Sequence, residues 1–185
     1  MTKQIFKRAI FLDRDGVINA ARVIDGKPYP PSSLEDFEIL PGVITALEQM
    51  KDMGFLTIIV TNQPDVETGK QSKETVMAIH DKMQQTLSID DIAVCYCKEG
   101  PGCDCYKPSP KMLLESALKW NINLKRSYMV GDRWRDIGAG NAAGCITFLI
   151  KNEYKEKMSY TPNFVVMSLL EASNLIARLE EQQSA

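Results

Sequence analysis

Short continuous apolar runs alternate along the chain with longer stretches in which apolar residues recur every three or four positions. The runs Ala9–Leu12, Phe55–Val60, Ile92–Val94, Tyr128–Val130, Ile146–Ile150 and Phe164–Val166 predict buried strands. Val43–Met53 places Val43, Leu47 and Met50 on one helical face. Ser72–Leu87 does the same with Val76, Ile79, Met83 and Leu87. Ser109 is suited to cap a helix over Pro110–Trp120, with Pro110 in its first position. Trp134–Ala143 runs into Gly144, a natural stop. Ser168 and Glu171 have capping-box spacing for a last helix over about 168–181, and Gln182–Ala185 is expected to fray.

Strand and helix in regular alternation predict an α/β fold: a doubly wound parallel sheet with helices on both faces. The 185 residues, 44% of them hydrophobic, suit one domain over 1–185. Gly26–Ser33, with Pro28, Pro30 and Pro31, is expected to be a stiff loop. The 22 basic and 24 acidic residues are well mixed, for a net charge of −2. Without a basic stripe, a small molecule is a better expected partner than nucleic acid. The apolar runs are too short for a signal-peptide core or a membrane span, so a cytoplasmic protein, and a monomer, is expected.

In such sheets ligands bind beyond the carboxyl ends of the strands, so those positions carry the chemistry. The first strand ends in Asp13-Arg14-Asp15-Gly16, the second in Thr61-Asn62 and a later one in Gly131-Asp132, with Asp136 one helical turn on. Lys107 precedes the helix that begins near Pro110. Taken singly, each residue has an ordinary explanation: a turn former, a cap or a solvated surface group. Taken together, the carboxylates would repel one another and need a cation to compensate. Oxygen ligands suit Mg²⁺, which shares phosphate oxygens, and a lysine and a hydroxyl suit the phosphate itself.

The segments Phe-Leu-Asp13-Arg-Asp15-Gly-Val-Ile-Asn19, Val-Thr61-Asn62-Gln63, Lys107-Pro108 and Val-Gly-Asp132-Arg133 with Asp136 resemble the four motifs of the haloacid dehalogenase superfamily. The resemblance covers about residues 8–150 and is nearest the heptose bisphosphate and histidinol-phosphate phosphatase branch. It implies a Rossmann-like core without a large cap domain. It implies that Asp13 attacks phosphorus and forms a phosphoaspartate, and that Asp15 protonates the leaving alkoxide and then activates water. Thr61 and the amide of Asn62 would hold phosphate oxygens, and Lys107 would offset charge and orient Asp13. Asn19, Gln63, Tyr106 and Arg133 are expected to contact substrate. Asp13, the Asp15 carbonyl and Asp132 would bind Mg²⁺, with Asp136 orienting Arg133 or a metal-bound water. The implied reaction is phosphate removal from a small ester, foremost the 7-phosphate of a heptose 1,7-bisphosphate, with histidinol phosphate or another small ester as the alternative.

Four of the five cysteines, Cys95, Cys97, Cys103 and Cys105, fall within eleven positions. In a reducing compartment this favours a zinc site over a redox pair or unconnected core cysteines. The resemblance also implies a zinc loop here, commonly with histidine as second ligand, where this chain has Cys97. An all-thiolate set saturates Zn²⁺ and makes the site structural. Cys145 is expected in the core, and His80 in a surface or packing role.

The chain departs from its branch in two places. Tyr106 stands where relatives often have arginine, and Pro64-Asp65 replaces a small Ser-Gly-type turn. Arg22, Lys70 and Arg133 are the basic residues available to compensate. Two other classes share parts of the motif set. A receiver module gathers aspartates, a threonine and a lysine around Mg²⁺, but has no use for Asp15 as acid and base. A phosphatase for nucleic-acid ends would call for a basic tract.

Overall fold

The structure, a computed structural model, describes residues 6–184. Its first strand, β1 (Ala9–Leu12), is followed by a hairpin of β2 (Arg22–Ile24) and β3 (Lys27–Tyr29), and by α1 (Val43–Asp52). Next come β4 (Leu56–Asn62), α2 (Lys73–Thr86), β5 (Asp91–Cys95) and α3 (Lys111–Trp120). The chain ends with β6 (Tyr128–Gly131), α4 (Trp134–Ala143), β7 (Ile146–Ile150), β8 (Phe164–Val166) and α5 (Leu169–Ser184). Six strands form one sheet in the order β5-β4-β1-β6-β7-β8, and every pairing is parallel. The order reverses at β1, which has β4 on one side and β6 on the other.

The period of two within each strand divides the sheet between two cores. Ile10, Leu12, Ile59, Val130 and Phe148 face one core, closed by α1, α2 and α5 through Leu47, Ile79 and Ile176. Ala9, Phe11, Ile58, Val60 and Met129 face the other, closed by α3 and α4 through Leu113 and Ala139. Strands covered on both faces must be apolar at every position, which is why they read as continuous runs. Among the described residues no helix is long and apolar enough to cross a membrane.

The predicted elements recur with small boundary shifts. Helix α3 starts at Lys111, with Pro110 as its cap residue, while the Ser109 hydroxyl still accepts from the Lys111 amide at 3.3 Å. At α5 the Glu171 amide donates to Ser168 Oγ at 3.1 Å, but the Glu171 carboxylate accepts from the Met167 amide rather than that of Ser168. Residues 182–184 continue α5 instead of fraying, and Ala185 lies outside the described residues.

The stiff loop expected over Gly26–Ser33 is in part a strand. Asp25 and Gly26 both take positive φ (53° and 79°), and Ile24 pairs with Lys27. A two-residue Asp-Gly turn of this hand matches the twist of a hairpin, and that signal outweighs the prolines. Pro28 is tolerated because the ribbon has only two strands, each with a free edge. The hairpin and α1 are the elements between β1 and β4, and no large cap is present among the described residues.

Phe148 is fully buried, stacked on Phe164 at 4.8 Å and edge-on to Tyr128 at 5.9 Å. Phe148→Ala is expected to cost about 3–5 kcal/mol, because the close-packed site cannot collapse onto the void. Urea unfolding followed by far-UV circular dichroism checks this.

Candidate active site

Asp13 follows β1 directly, and its amide donates to the Val130 carbonyl at the end of β6 (2.9 Å). Two parallel strands thereby fix the start of the site. The chain then turns at Gly16, whose φ is +87°. A Cβ there would stand 1.9 Å from Asp132 Oδ2. Only glycine lets this turn approach the carboxylate after β6 so closely.

Lys107 ties the set together. Its Nζ donates to Asp13 Oδ1 (2.7 Å), Asp136 Oδ1 (2.5 Å) and the Val60 carbonyl (2.7 Å), which uses all three ammonium hydrogens. The lysine is 2% exposed. Burial works against its charge, but Asp13 and Asp136 outweigh that and hold its pKa above the ordinary value. Asn62 brackets the lysine's backbone: its Oδ1 accepts from the Lys107 amide (3.0 Å) and its Nδ2 donates to the Lys107 carbonyl (3.3 Å). Asp136 Oδ2 also accepts from the Arg133 amide at 3.0 Å, so one carboxylate fixes both the lysine and the start of α4.

The acids of Asp13, Asp132 and Asp136 can bring oxygens within 4.8 Å of one another, and all three residues are buried. Burial raises the Asp13 pKa to about 6, with Lys107 opposing and Asp136 adding to the rise. Burial raises Asp132 well above the carboxylate range, reinforced by Asp13 and Asp136. Tyr154 donates to Asp132 Oδ2 at 2.7 Å and Asn152 at 3.3 Å, while Asp132 Oδ1 is buried with no partner. An unsatisfied carboxylate oxygen among like charges is the environment a hard divalent cation relieves. The residues present therefore fit Mg²⁺.

Asp15 is held by three side chains. Arg14 donates through Nε (3.1 and 3.2 Å) and Nη2 (2.9 Å), Asn19 Nδ2 at 3.0 Å and Gln63 Nε2 at 2.9 Å. Gln63 also donates to Thr61 Oγ1 at 3.0 Å. Asp13, Asp15, Gln63, Tyr106, Lys107 and Arg133 line a cavity of about 180 Å³, where the sequence expects substrate. That volume is small beside the roughly 300–1,000 Å³ of pockets enclosing drug-sized ligands, which favours a small polar occupant. Asn19 and Thr61 are buried and do not line it. Asn19 is thus placed to hold Asp15 rather than to touch a ligand.

Three participants escape the sequence patterns. Arg14 lies between the two aspartates and is fully buried. His80, from α2, places Nε2 3.1 Å from Arg14 Nη1 and so accepts as a neutral ring. Tyr154 reaches Asp132 from the segment after β7. The Arg14–His80 contact links residues 66 apart and has no local signature, although the helical pattern does place His80 beside the buried Ile79. Of the surface or packing role expected for His80, the structure shows the buried one with the Arg14 contact added, and Cys145 is likewise buried.

The four cysteines converge after β5, and their sulfurs all lie within 4.8 Å of one another. The structure joins Cys95 and Cys105 as a disulfide and leaves Cys97 and Cys103 free, where the sequence leads one to expect four separate thiolates. The other close pairs are Cys95–Cys103 and Cys97–Cys105 at 3.6 Å and Cys103–Cys105 at 3.8 Å. A tetrahedral site with 2.3 Å zinc–sulfur bonds has edges of about 3.8 Å, which those three pairs match and the bonded Cys95–Cys105 pair does not.

A family model for haloacid dehalogenase-like hydrolases matches residues 20–144, well over half of the chain. The chain belongs to this family. The haloacid dehalogenase-like match agrees with the motif resemblance and with the parallel-sheet fold. D-glycero-beta-D-manno-heptose-1,7-bisphosphate 7-phosphatase of Pasteurella multocida is 35% identical over 94% of this chain and 99% of its own length. The Escherichia coli K12 protein of the same name is 33% identical over 95% of each. Among solved structures, D,D-heptose 1,7-bisphosphate phosphatase from B. bronchiseptica, complexed with magnesium and phosphate, superposes with a TM-score of 0.80. It is 28% identical and covers 93% of this chain and 99% of its own.

The Arg14–His80 contact gives this haloacid dehalogenase-like hydrolase an acid sensitivity. Burial, helped by the Arg14 charge, lowers the His80 pKa to about 4, against about 6.5 in an unfolded chain. Between those values the unfolded chain binds the proton and the folded one does not, so stability is full above about pH 6.5 and falls as pH drops. His80→Gln, which keeps an acceptor for Arg14, is expected to lose less in Tm between pH 7 and pH 5 than the native protein. Thermal melts at the two pH values measure the difference.

Proposed function

We propose that this hydrolase is a Mg²⁺-dependent phosphatase that removes the 7-phosphate of a heptose 1,7-bisphosphate or a close chemical relative. The observation that carries the proposal is the Asp13–Lys107–Asp136 constellation beside Asp132, at the edge of a cavity lined by Asp13. The substrate assignment is supported by relatives of that name aligned along almost the whole of both chains.

Lys107 engages Asp13 Oδ1, and Oδ2 has no hydrogen-bond partner among the described residues. In the proposed reaction Oδ2 attacks phosphorus, forming an Asp13–phosphorus bond as the bond to the sugar oxygen breaks. Asp15 gives a proton to that oxygen. In the second step Asp15 takes a proton from a water, which attacks phosphorus, and the Asp13–phosphorus bond breaks to release inorganic phosphate. Lys107 keeps Asp13 oriented and offsets the charge on the phosphoryl oxygens. The Asn62 amide binds those oxygens and the Asn62 side chain fixes Lys107, while Thr61, outside the cavity lining, accepts from Gln63 and steadies it. Arg14, Asn19 and Gln63 hold Asp15 in place for both transfers. Asp13, the Asp15 carbonyl and Asp132 would hold Mg²⁺, which would supply positive charge to the transferring phosphoryl group. This acid and base at Asp15 favours turnover over a receiver-like phosphoacceptor. As four free thiolates, Cys95, Cys97, Cys103 and Cys105 would hold a structural Zn²⁺ and so fix the loop leading into Tyr106 and Lys107.

Asp13→Asn is expected to lower Mg²⁺-dependent phosphate release from heptose 1,7-bisphosphate by at least about 10³-fold with the fold intact, as loss of a nucleophile does. A colorimetric phosphate assay with circular dichroism checks it, and appreciable residual turnover refutes the nucleophile. Chelating Mg²⁺ should stop turnover, and adding it back should restore it.

The zinc site is tested by elemental analysis together with thiol titration in denaturant and chelator. A zinc-bound chain releases one zinc and shows all five cysteines as thiols, whereas a Cys95–Cys105 disulfide leaves three. Cys103→Ser should lose zinc and activity together.

A further inference from the structure

The catalytic residues account for one end of the cavity, and two guanidinium groups stand on its wall. Arg133 caps α4 and Arg135 is the second residue of that helix, and both line the cavity. Arg133 Nε donates to Glu156 at 2.8 Å, and neither of its two terminal nitrogens has a protein partner among the described residues. Arg135 Nη2 donates to Glu99 at 2.5 Å, and its Nε is buried without an acceptor. Glu99 is more than half exposed, so its pairing with Arg135 is well screened by solvent.

Arg135 is held by rings as well as by charge. Its guanidinium lies 4.4 Å from the Trp134 ring centroid and 5.6 Å from that of Tyr106, and Trp134 in turn stacks on Tyr160 at 6.0 Å. Packing against aromatic faces keeps a long side chain in one place and leaves the edge of its planar fork available. The start of α4 adds the positive end of a helix dipole. Asp65 also lines the cavity and carries the opposing charge. Two fixed guanidinium groups with unused donors match a phosphate, whose oxygens accept several hydrogen bonds at once.

We infer that Arg133 and Arg135 recognise a second phosphate on the substrate, and that Arg135, positioned by Trp134 and Tyr106, sets the preference for a bisphosphate over a monophosphate. This rests on the phosphatase reading above and specifies the substrate class for the same site.

The test compares kcat/KM for heptose 1,7-bisphosphate with kcat/KM for heptose 7-phosphate, which lacks the second phosphate. The ratio cancels any effect on the chemistry common to both. The native protein should favour the bisphosphate by about tenfold or more, and Arg135→Gln should remove about tenfold of that preference, as loss of a charge-assisted contact does. Arg135→Lys should restore part of it, since lysine keeps the charge but not the fork. Glu99→Gln, a change at an exposed position, should raise the ratio by freeing the guanidinium. It also carries the test should Arg135→Gln fold poorly. A ratio that stays the same in Arg135→Gln and in Glu99→Gln while both esters are hydrolysed overturns this inference and leaves the phosphatase reading standing. Hydrolysis of neither ester by the native protein overturns both.

Discussion

The site depends on one buried ammonium group. Lys107 meets Asp13 from β1, Asp136 from α4 and the Val60 carbonyl from β4, so three elements on both sides of the central strand converge on one nitrogen. A buried charge is tolerated only when its hydrogen-bonding capacity is met, and here every donor is used. Removing either carboxylate would leave the ammonium under-compensated, and removing the ammonium would leave two carboxylates facing each other. The geometry of Asp13 is thus a consequence of charge pairing that the fold cannot easily relax.

That pairing is incomplete by design of its parts. Asp13 and Asp136 share one lysine, and among the described residues Asp132 has one unpartnered oxygen and only the neutral donors Tyr154 and Asn152 on the other. Burial raises both Asp13 and Asp132, Asp136 adds to each rise, and Asp13 raises Asp132 further. The glycine after Asp15 matters for the same reason, because any side chain at Gly16 would occupy the space beside Asp132. A glycine that admits the Asp132 carboxylate creates the crowding of acids that a cation would balance.

Much of this was legible in the sequence because the residues sit directly after predictable strands. Apolar runs gave β1, β4, β6 and β7, and the residues at the ends of β1, β4 and β6 gave Asp13, Asp15, Thr61 and Asp132. Lys107 was legible only through its motif, since no strand precedes it. The hairpin was missed because prolines drew more weight than the Asp25-Gly26 turn. Arg14, His80 and Tyr154 were missed for a deeper reason. Each works through a contact between elements far apart in sequence, and neither periodicity nor local spacing encodes such contacts. Asn19 was legible as a site residue but not in its placement, which depends on how the turn after β1 folds back on Asp15.

The start of α4 joins the two tasks of the site. Successive helical residues point about 100° apart, so neighbours in sequence face different surroundings. Asp136 turns inward to Lys107 and to the Arg133 amide, while Arg133 and Arg135 have their charge balanced from outside by Glu156 and Glu99. The same helical turn therefore fixes the lysine that orients Asp13 and presents two guanidinium groups on the cavity wall. The link is mechanical as well as electrostatic: the Asp136 contact that holds Lys107 also holds the backbone of Arg133. A shift of this turn large enough to reposition the arginines would also move the acid that positions Lys107. The charge presented to the cavity can consequently vary through side chains at 133 and 135 more readily than through movement of the backbone that carries them.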